Sequence, residues 1–244
     1  MAENRASGNE EAYAEGVPCW VDAELPDVEA GKRFYGELFG WTFEEAYGSS
    51  VWALLEGEPV ASLAPKTDGR MPTVWTVSFA TPDAVALGRR IIAAGGQVVM
   101  APFLVGELGV AALAADTEGA VFGLWQPGAH PGFGRRHDPG TFVWAELYTR
   151  DTAAANTFYG GLFHDALFGT DAEPDFGRAA VTEIFPAEMP PHFVTHFRVT
   201  DLDDALGAVQ RLDGRVQVPP FETSYGRVAV VTDNQGASFA LLQR

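Results

Sequence analysis

One cysteine, Cys19, stands in 244 residues. That excludes an internal disulfide framework and a four-cysteine zinc site. Basic residues are scarce: 16 Lys and Arg against 33 Asp and Glu leave a net charge of -17. Such a surface repels phosphate backbones and anionic headgroups, which sets nucleic acids and membrane surfaces aside as partners. Arg89-Arg90 interrupts the most apolar stretch, 85–105, so no unbroken apolar run approaches the roughly 20 residues that cross a bilayer. Residues 1–15 are acidic and polar, without the basic start and apolar core of a secretory signal. A Gly-rich phosphate loop, a GxSxG elbow and an HExxH pair are all absent. The expectation is a cytoplasmic protein.

What is present is an ordinary globular balance, 47% apolar and 20% charged, at a length that suits two domains of about 120 residues. The first half is then repeated. WVDAELPDVEAGKRFYGELFGW from Trp20 is answered 124 positions later by WAELYTRDTAAANTFYGGLFHD from Trp144. Identical pairs include Trp20/Trp144, Asp27/Asp151, Phe34/Phe158, Tyr35/Tyr159 and Phe39/Phe163. Ala86-Leu87-Gly88 recurs as Ala205-Leu206-Gly207, and DTEGAVFGL from Asp116 as DNQGASFAL from Asp233.

Each half reads as strand–helix–strand–strand–strand, twice over. Alternating runs at 19–25, 73–80, 142–149 and 193–200 predict opening strands. Asp27 and Asp151 predict N-caps for the helices that follow. The stretch 167–190 is shorter and less regular, consistent with a strand lost or bent there. The expected plan is a disordered acidic segment 1–16, a domain 17–127, a linker 128–140 rich in Gly, Pro and charge, and a second domain 141–244.

These features resemble the vicinal-oxygen-chelate superfamily: glyoxalase I, bleomycin- and fosfomycin-resistance proteins, and extradiol dioxygenases. The PDVEAGKRFYGELFGW phrase and the DTEGAVFGLW close carry the resemblance. The tandem length and the WVDAELPD/WAELYTRD openings look closest to a two-domain actinobacterial branch labelled glyoxalase-like or hydroxylase-like. The resemblance implies an α+β fold in which four βαβββ modules form two cup-shaped open barrels, helices outside. It also implies, for catalytic members, a divalent metal held by His, Gln or Glu from the first and last strands. The first-strand ligand lies seven residues before the helix-start Asp. Here the implied positions fall on Trp20, Val74, Trp144 and Val194, with Gly123 and Ala240 on closing strands. None of these side chains is a donor for such a cation. No metal ligand and no cofactor is therefore expected.

Strand alternation then sorts the faces. Val21, Ala23 and Leu25 lie under a helix, turning Trp20, Asp22 and Glu24 to the cup. The same rule turns Thr76 and Ser78 inward, with Trp144, Glu146 and Tyr148, and with His196 and Arg198. Tryptophans offer flat surfaces for a ligand, and Asp22, Glu146 and His196 are candidate proton acceptors or donors. Trp20, Glu24, Thr76, Ser78, Trp144, Tyr148 and Arg198 are the candidate ligand-binding residues.

Bland alternatives stand beside these. The tryptophans can plug an emptied cup, and Asp22, Glu146, His196 and Arg198 can be structural polar groups. His130 and His137 in the linker and His192 in a loop are expected to be solvated. His164 is read as a helix C-terminal charge partner and Cys19 as an inert buried thiol. Three functions follow. The first is a metal-free binder of a small planar or oxygenated metabolite. The second is an enzyme of lyase, isomerase, dioxygenase or hydroxylase type, with a non-standard metal site at Glu146, His196 and Asp22 as one form. The third is a protein with vestigial cups. Monomer and homodimer remain open.

Overall fold

In the computed structural model, residues 13–69, 72–170, 172 and 174–244 are described. The expectation for the first twelve positions lies outside them. The first half runs β1 (Pro18–Leu25), α1 (Val28–Phe39), β2 (Thr42–Glu45), β3 (Val51–Leu55), β4 (Glu58–Pro65), β5 (Trp75–Ala80), α2 (Ala84–Ala93), β6 (Gln97–Val105), β7 (Gly109–Ala115) and β8 (Val121–Pro127). The second runs β9 (Phe142–Thr149), α3 (Thr152–Leu162), α4 (His164–Phe168), β10 (Phe176–Ala180), β11 (His192–Val199), α5 (Leu202–Arg211), β12 (Arg215–Thr223), β13 (Gly226–Thr232) and β14 (Ser238–Gln243).

Two mixed sheets result, ordered β2-β3-β4-β1-β5-β8-β7-β6 and β10-β9-β11-β14-β13-β12. At the centre of each, the opening strands of two modules run antiparallel: β1 beside β5, and β9 beside β11. Modules therefore pair within a half. Each of the four strand-to-helix turns is closed by an aspartate. Asp27, Asp83, Asp151 and Asp201 each accept a hydrogen bond from the backbone N–H three residues on. That bond satisfies one of the free donors of a first helical turn. Val21, Ala23 and Leu25, all fully buried, fill the space between sheet and helix.

The third module departs from the expected unit by two strands. After α3 the chain makes the short helix α4 and returns only as β10, parallel to β9. Among the described residues there is no hairpin equivalent to β2–β3. Leu162, Phe163, Ala166 and Leu167 are all buried, a helical spacing of apolar residues rather than strand alternation. A segment at 181–191, with a single 3-10 turn at Val181–Glu183, then leads to β11.

The halves are fastened by a crossed pair of clasps. The Tyr35 hydroxyl on α1 donates to Asp233 Oδ2 at 2.8 Å, in the turn before β14. The repeat-equivalent Tyr159 on α3 donates to Asp116 Oδ2 at 3.1 Å, in the turn before β8. Both tyrosines are fully buried. Each aspartate also closes its own turn: Asp233 Oδ1 accepts from Gln235 N and Ala237 N, and Asp116 Oδ1 from Glu118 N and Ala120 N. Burial raises both carboxyls above their usual range. The tips repeat the exchange. Gln235 bonds both backbone groups of Asp27, and Glu118 accepts from the amides of Arg150 and Asp151.

Candidate functional site

The strand registers fix which side chains share each cup. In the first half Trp20 lies opposite Ser78 and Asp22 opposite Thr76. Asp22 also pairs with Ser62 on β4, and Ser78 with Gly123 on β8. Gly123 leaves room for that serine, since a Cβ there would meet Ser78 Oγ at 2.0 Å. Trp20 is buried and donates through Nε1 to Ser62 Oγ at 3.0 Å. Asp22 is half-buried, and no described group gives it a hydrogen bond or an ion pair. Burial pushes its carboxyl up to about 7, with the charge of Glu24 adding to the effect. Glu24 itself is exposed at the rim.

The linker closes one side of this cup, contrary to the expectation of solvated histidines. His130 is 5% exposed. Its ring lies edge-on to Trp20 at 4.3 Å, with Trp52 at 5.4 Å and Trp125 at 5.6 Å. Phe133 stands 5.6 Å from Trp20 and stacks on Phe142 at 4.9 Å. Burial lowers the imidazole to about 4, so it is neutral at physiological pH. Its Nε2 is buried with no hydrogen-bond partner among the described residues. A glycine-rich segment with two His and one Phe gives no periodicity to read; its only signal is an aromatic among glycines.

The second cup is built differently. Trp144 lies opposite His196 and Glu146 opposite Val194. Glu146 and Tyr148 are buried and His196 has no exposed surface. Glu146 Oε2 accepts from Trp144 Nε1 at 2.6 Å and Tyr225 Oη at 3.3 Å. Burial raises its carboxyl despite these bonds. His196 Nδ1 bonds Val194 O at 3.0 Å while Nε2 has no partner among the described residues, and burial lowers its pKa to about 4. The interior is packed by Val181 and Phe185 from the 181–191 segment, against Tyr148, Val194, Val228, Val230 and Leu242. Gly177 opposes Glu146 in the parallel pair. A Cβ there would stand 2.6 Å from Trp144 Cζ2 and 2.7 Å from Glu146 Oε1. Gly177→Ala is therefore expected to push the carboxylate off its two donors, costing about 2 kcal/mol. Thermal unfolding checks this, and a variant as stable as the parent refutes it.

Several expectations need correction. The helix α2 is capped by Asp83, so seven residues back is Thr76; Val74 lies outside β5 and is 45% exposed. His192 opens β11 rather than a loop, opposite Tyr148 and 4.9 Å from the Phe185 ring. His164 begins α4 instead of ending α3. Arg198 is turned to the linker, where Nη1 donates to His137 O at 2.7 Å. Cys19, by contrast, is the buried thiol expected: it is fully buried, and burial raises its pKa.

Asp22 lies in one sheet, and Glu146 and His196 in the other. The non-standard metal set therefore does not assemble. Among the described residues no three His, Cys, Asp or Glu converge in a way that could hold an ion. The family's own positions, taken by register, are Trp20, Thr76, Trp144 and Val194 on opening strands. On closing strands they are Ser62, Gly123, Gly177 and Ala240. None is an imidazole or carboxylate, so these residues do not fit a hard or borderline divalent cation.

No family profile matches the chain. CFP32 of Mycobacterium tuberculosis, provisionally described as a glyoxylase, is 33% identical over 250 residues, spanning 95% of this chain and 96% of that one. The anthracycline biosynthesis protein DnrV of Streptomyces peucetius is 34% identical over 265 residues, spanning 95% and 94%. Among solved structures, the Mn(II)-bound glyoxalase of Novosphingobium aromaticivorans superposes with a TM-score of 0.62 at 14% identity, over 93% of this chain and 82% of that one. The 2,3-dioxygenase LapB of Pseudomonas sp. KL28 gives 0.64 at 13% identity, over 96% and 94%.

Proposed function

Because the chain belongs to the glyoxalase-like vicinal-oxygen-chelate superfamily, we propose that it binds a small, planar, oxygenated molecule in the first cup without the family's metal ligands. The observation that carries this is Asp22: a half-buried carboxylate with no hydrogen-bond or ion-pair partner among the described residues, on the same face as Trp20 and Trp52. A hydrogen bond to a charged acceptor is worth about 1.5–3 kcal/mol, and a ligand hydroxyl would supply one. Apolar walls with a few convergent polar groups are what such pockets need. The name of the Streptomyces relative, tied to anthracyclines, suits a flat oxygenated ligand.

A second reading is favoured by the burial that pushes the Asp22 carboxyl up to about 7. A carboxylate so placed can take a proton from a bound substrate, as isomerases and lyases require. Both readings meet the same test. Elemental analysis of protein purified without added metal is expected to find none in stoichiometric amount. Calorimetric titration with naphthol is expected to show binding that Trp20→Phe weakens. Near-stoichiometric Ni, Zn, Fe or Mn, or binding indifferent to Trp20, overturns the proposal.

A further inference from the structure

We propose that the linker is a working wall of the first cup and that His130 Nε2 is its second polar anchor, bonding an oxygen substituent of the ligand. The inference rests on the reading of that cup as a binding site and narrows the ligand to a flat aromatic carrying a hydroxyl or carbonyl.

The linker is held too firmly to be a tether. Gly128 N and His130 N donate to Leu108 O, and Ala129 N to Glu107 O. Phe133 N reaches Cys19 O and Gly134 N reaches Pro59 O. Trp125 Nε1 donates to His130 O at 2.9 Å, tying the histidine backbone to the cup wall. Gly132 takes a φ of 130°, and a Cβ there would meet Cys19 O at 2.5 Å. The segment thus runs from the β6–β7 turn to the starts of β1 and β4, and sets one ring among three tryptophans.

A ring wanted only as filler would be served better by leucine, which carries no polar atom to desolvate. Here a neutral imidazole is set in an apolar cage with Nε2 bare. Neutral imidazole presents one N–H and one lone pair, so either tautomer suits an oxygen substituent: a carbonyl accepts from the N–H, and a hydroxyl donates to the lone pair. Asp22, acceptor-only when ionised, takes a hydroxyl. Two anchors of different chemistry in one aromatic cup select oxygenated over bare rings.

The test uses the full chain and three probes: naphthol, acetylnaphthalene and naphthalene. His130→Leu is expected to weaken naphthol and acetylnaphthalene about tenfold, the worth of one neutral hydrogen bond. Naphthalene affinity is expected to stay within about twofold of wild type, since it offers no oxygen to bond. His130→Gln, which keeps a donor and an acceptor, is expected to recover part of the loss. Adding naphthol, but not naphthalene, is expected to move the His130 ring nitrogen signal in the NMR spectrum. Equal loss for all three probes makes the ring a structural plug and overturns the proposal. Naphthol binding that survives His130→Leu overturns it too, while leaving the cup as a site. A wild-type protein that binds none of the probes overturns both readings.

Discussion

Asp233→Ala is expected to destabilise the protein by about 4 kcal/mol, because it strands two backbone N–H groups and the buried Tyr35 hydroxyl at once. For a chain of this size that corresponds to a fall of about 8–16 °C in melting temperature. Asp116→Ala should match it, since Asp116 makes the equivalent bonds to Tyr159, Glu118 and Ala120. The controls separate turn from clasp. Tyr35→Phe removes only the inter-half bond and the acceptor for Trp75 Nε1 at 3.0 Å, so about 1–2 kcal/mol is expected. Asp233→Asn keeps an acceptor for the turn and should fall between the two. Chemical denaturation of the four variants decides it. Alanine variants that lose less than the phenylalanine variant would mean the carboxylates are not the fastening points.

The second large effect is the pH dependence set by Asp22. Its folded pKa, about 7, lies above the ordinary 3.8, so between those values the native state holds a proton that the unfolded chain releases. Stability then falls as pH rises from about 4 to about 7 and levels off above. Asp22→Asn cannot ionise and escapes the penalty. The variant is expected to exceed wild type by about 2 kcal/mol at pH 8, half of what a fully dry carboxylate shifted this far would give. The two should converge near pH 4. Urea midpoints measured across that range provide the check. A difference independent of pH would show that Asp22 is ionised throughout. Naphthol affinity offers a cross-check, rising through neutrality in wild type and flat in the variant.

Much of this architecture is legible from residue order alone, for reasons that can be named. Trp20, Asp22, Thr76 and Ser78 share a face because side chains alternate along a strand, and their registers place them so. The helix starts are marked by aspartates whose side chains must cap. Val74 is two residues off because α2 is capped by Asp83, and seven residues back from that cap is Thr76. The loss of a strand after α3 shows in the short, irregular stretch 167–190, but not its extent, because the helical spacing at 163–168 takes the place of two strands. His130 was hidden for a different reason. Its burial comes from three tryptophans distant in sequence, a tertiary fact without a local pattern. The clasp was half visible: FYG and D-x-x-G-A both recur, but only the packed halves show that one reaches for the other.

The absent hairpin after α3 sets the two repeats on different courses. The first copy keeps a full eight-stranded wall and closes its gap with borrowed linker residues. The second has traded two strands for an insertion that fills its own hollow with valine and phenylalanine. Duplication supplied one scaffold twice, and the two copies have diverged in what lines them, while the crossed fastening still ties each to the other.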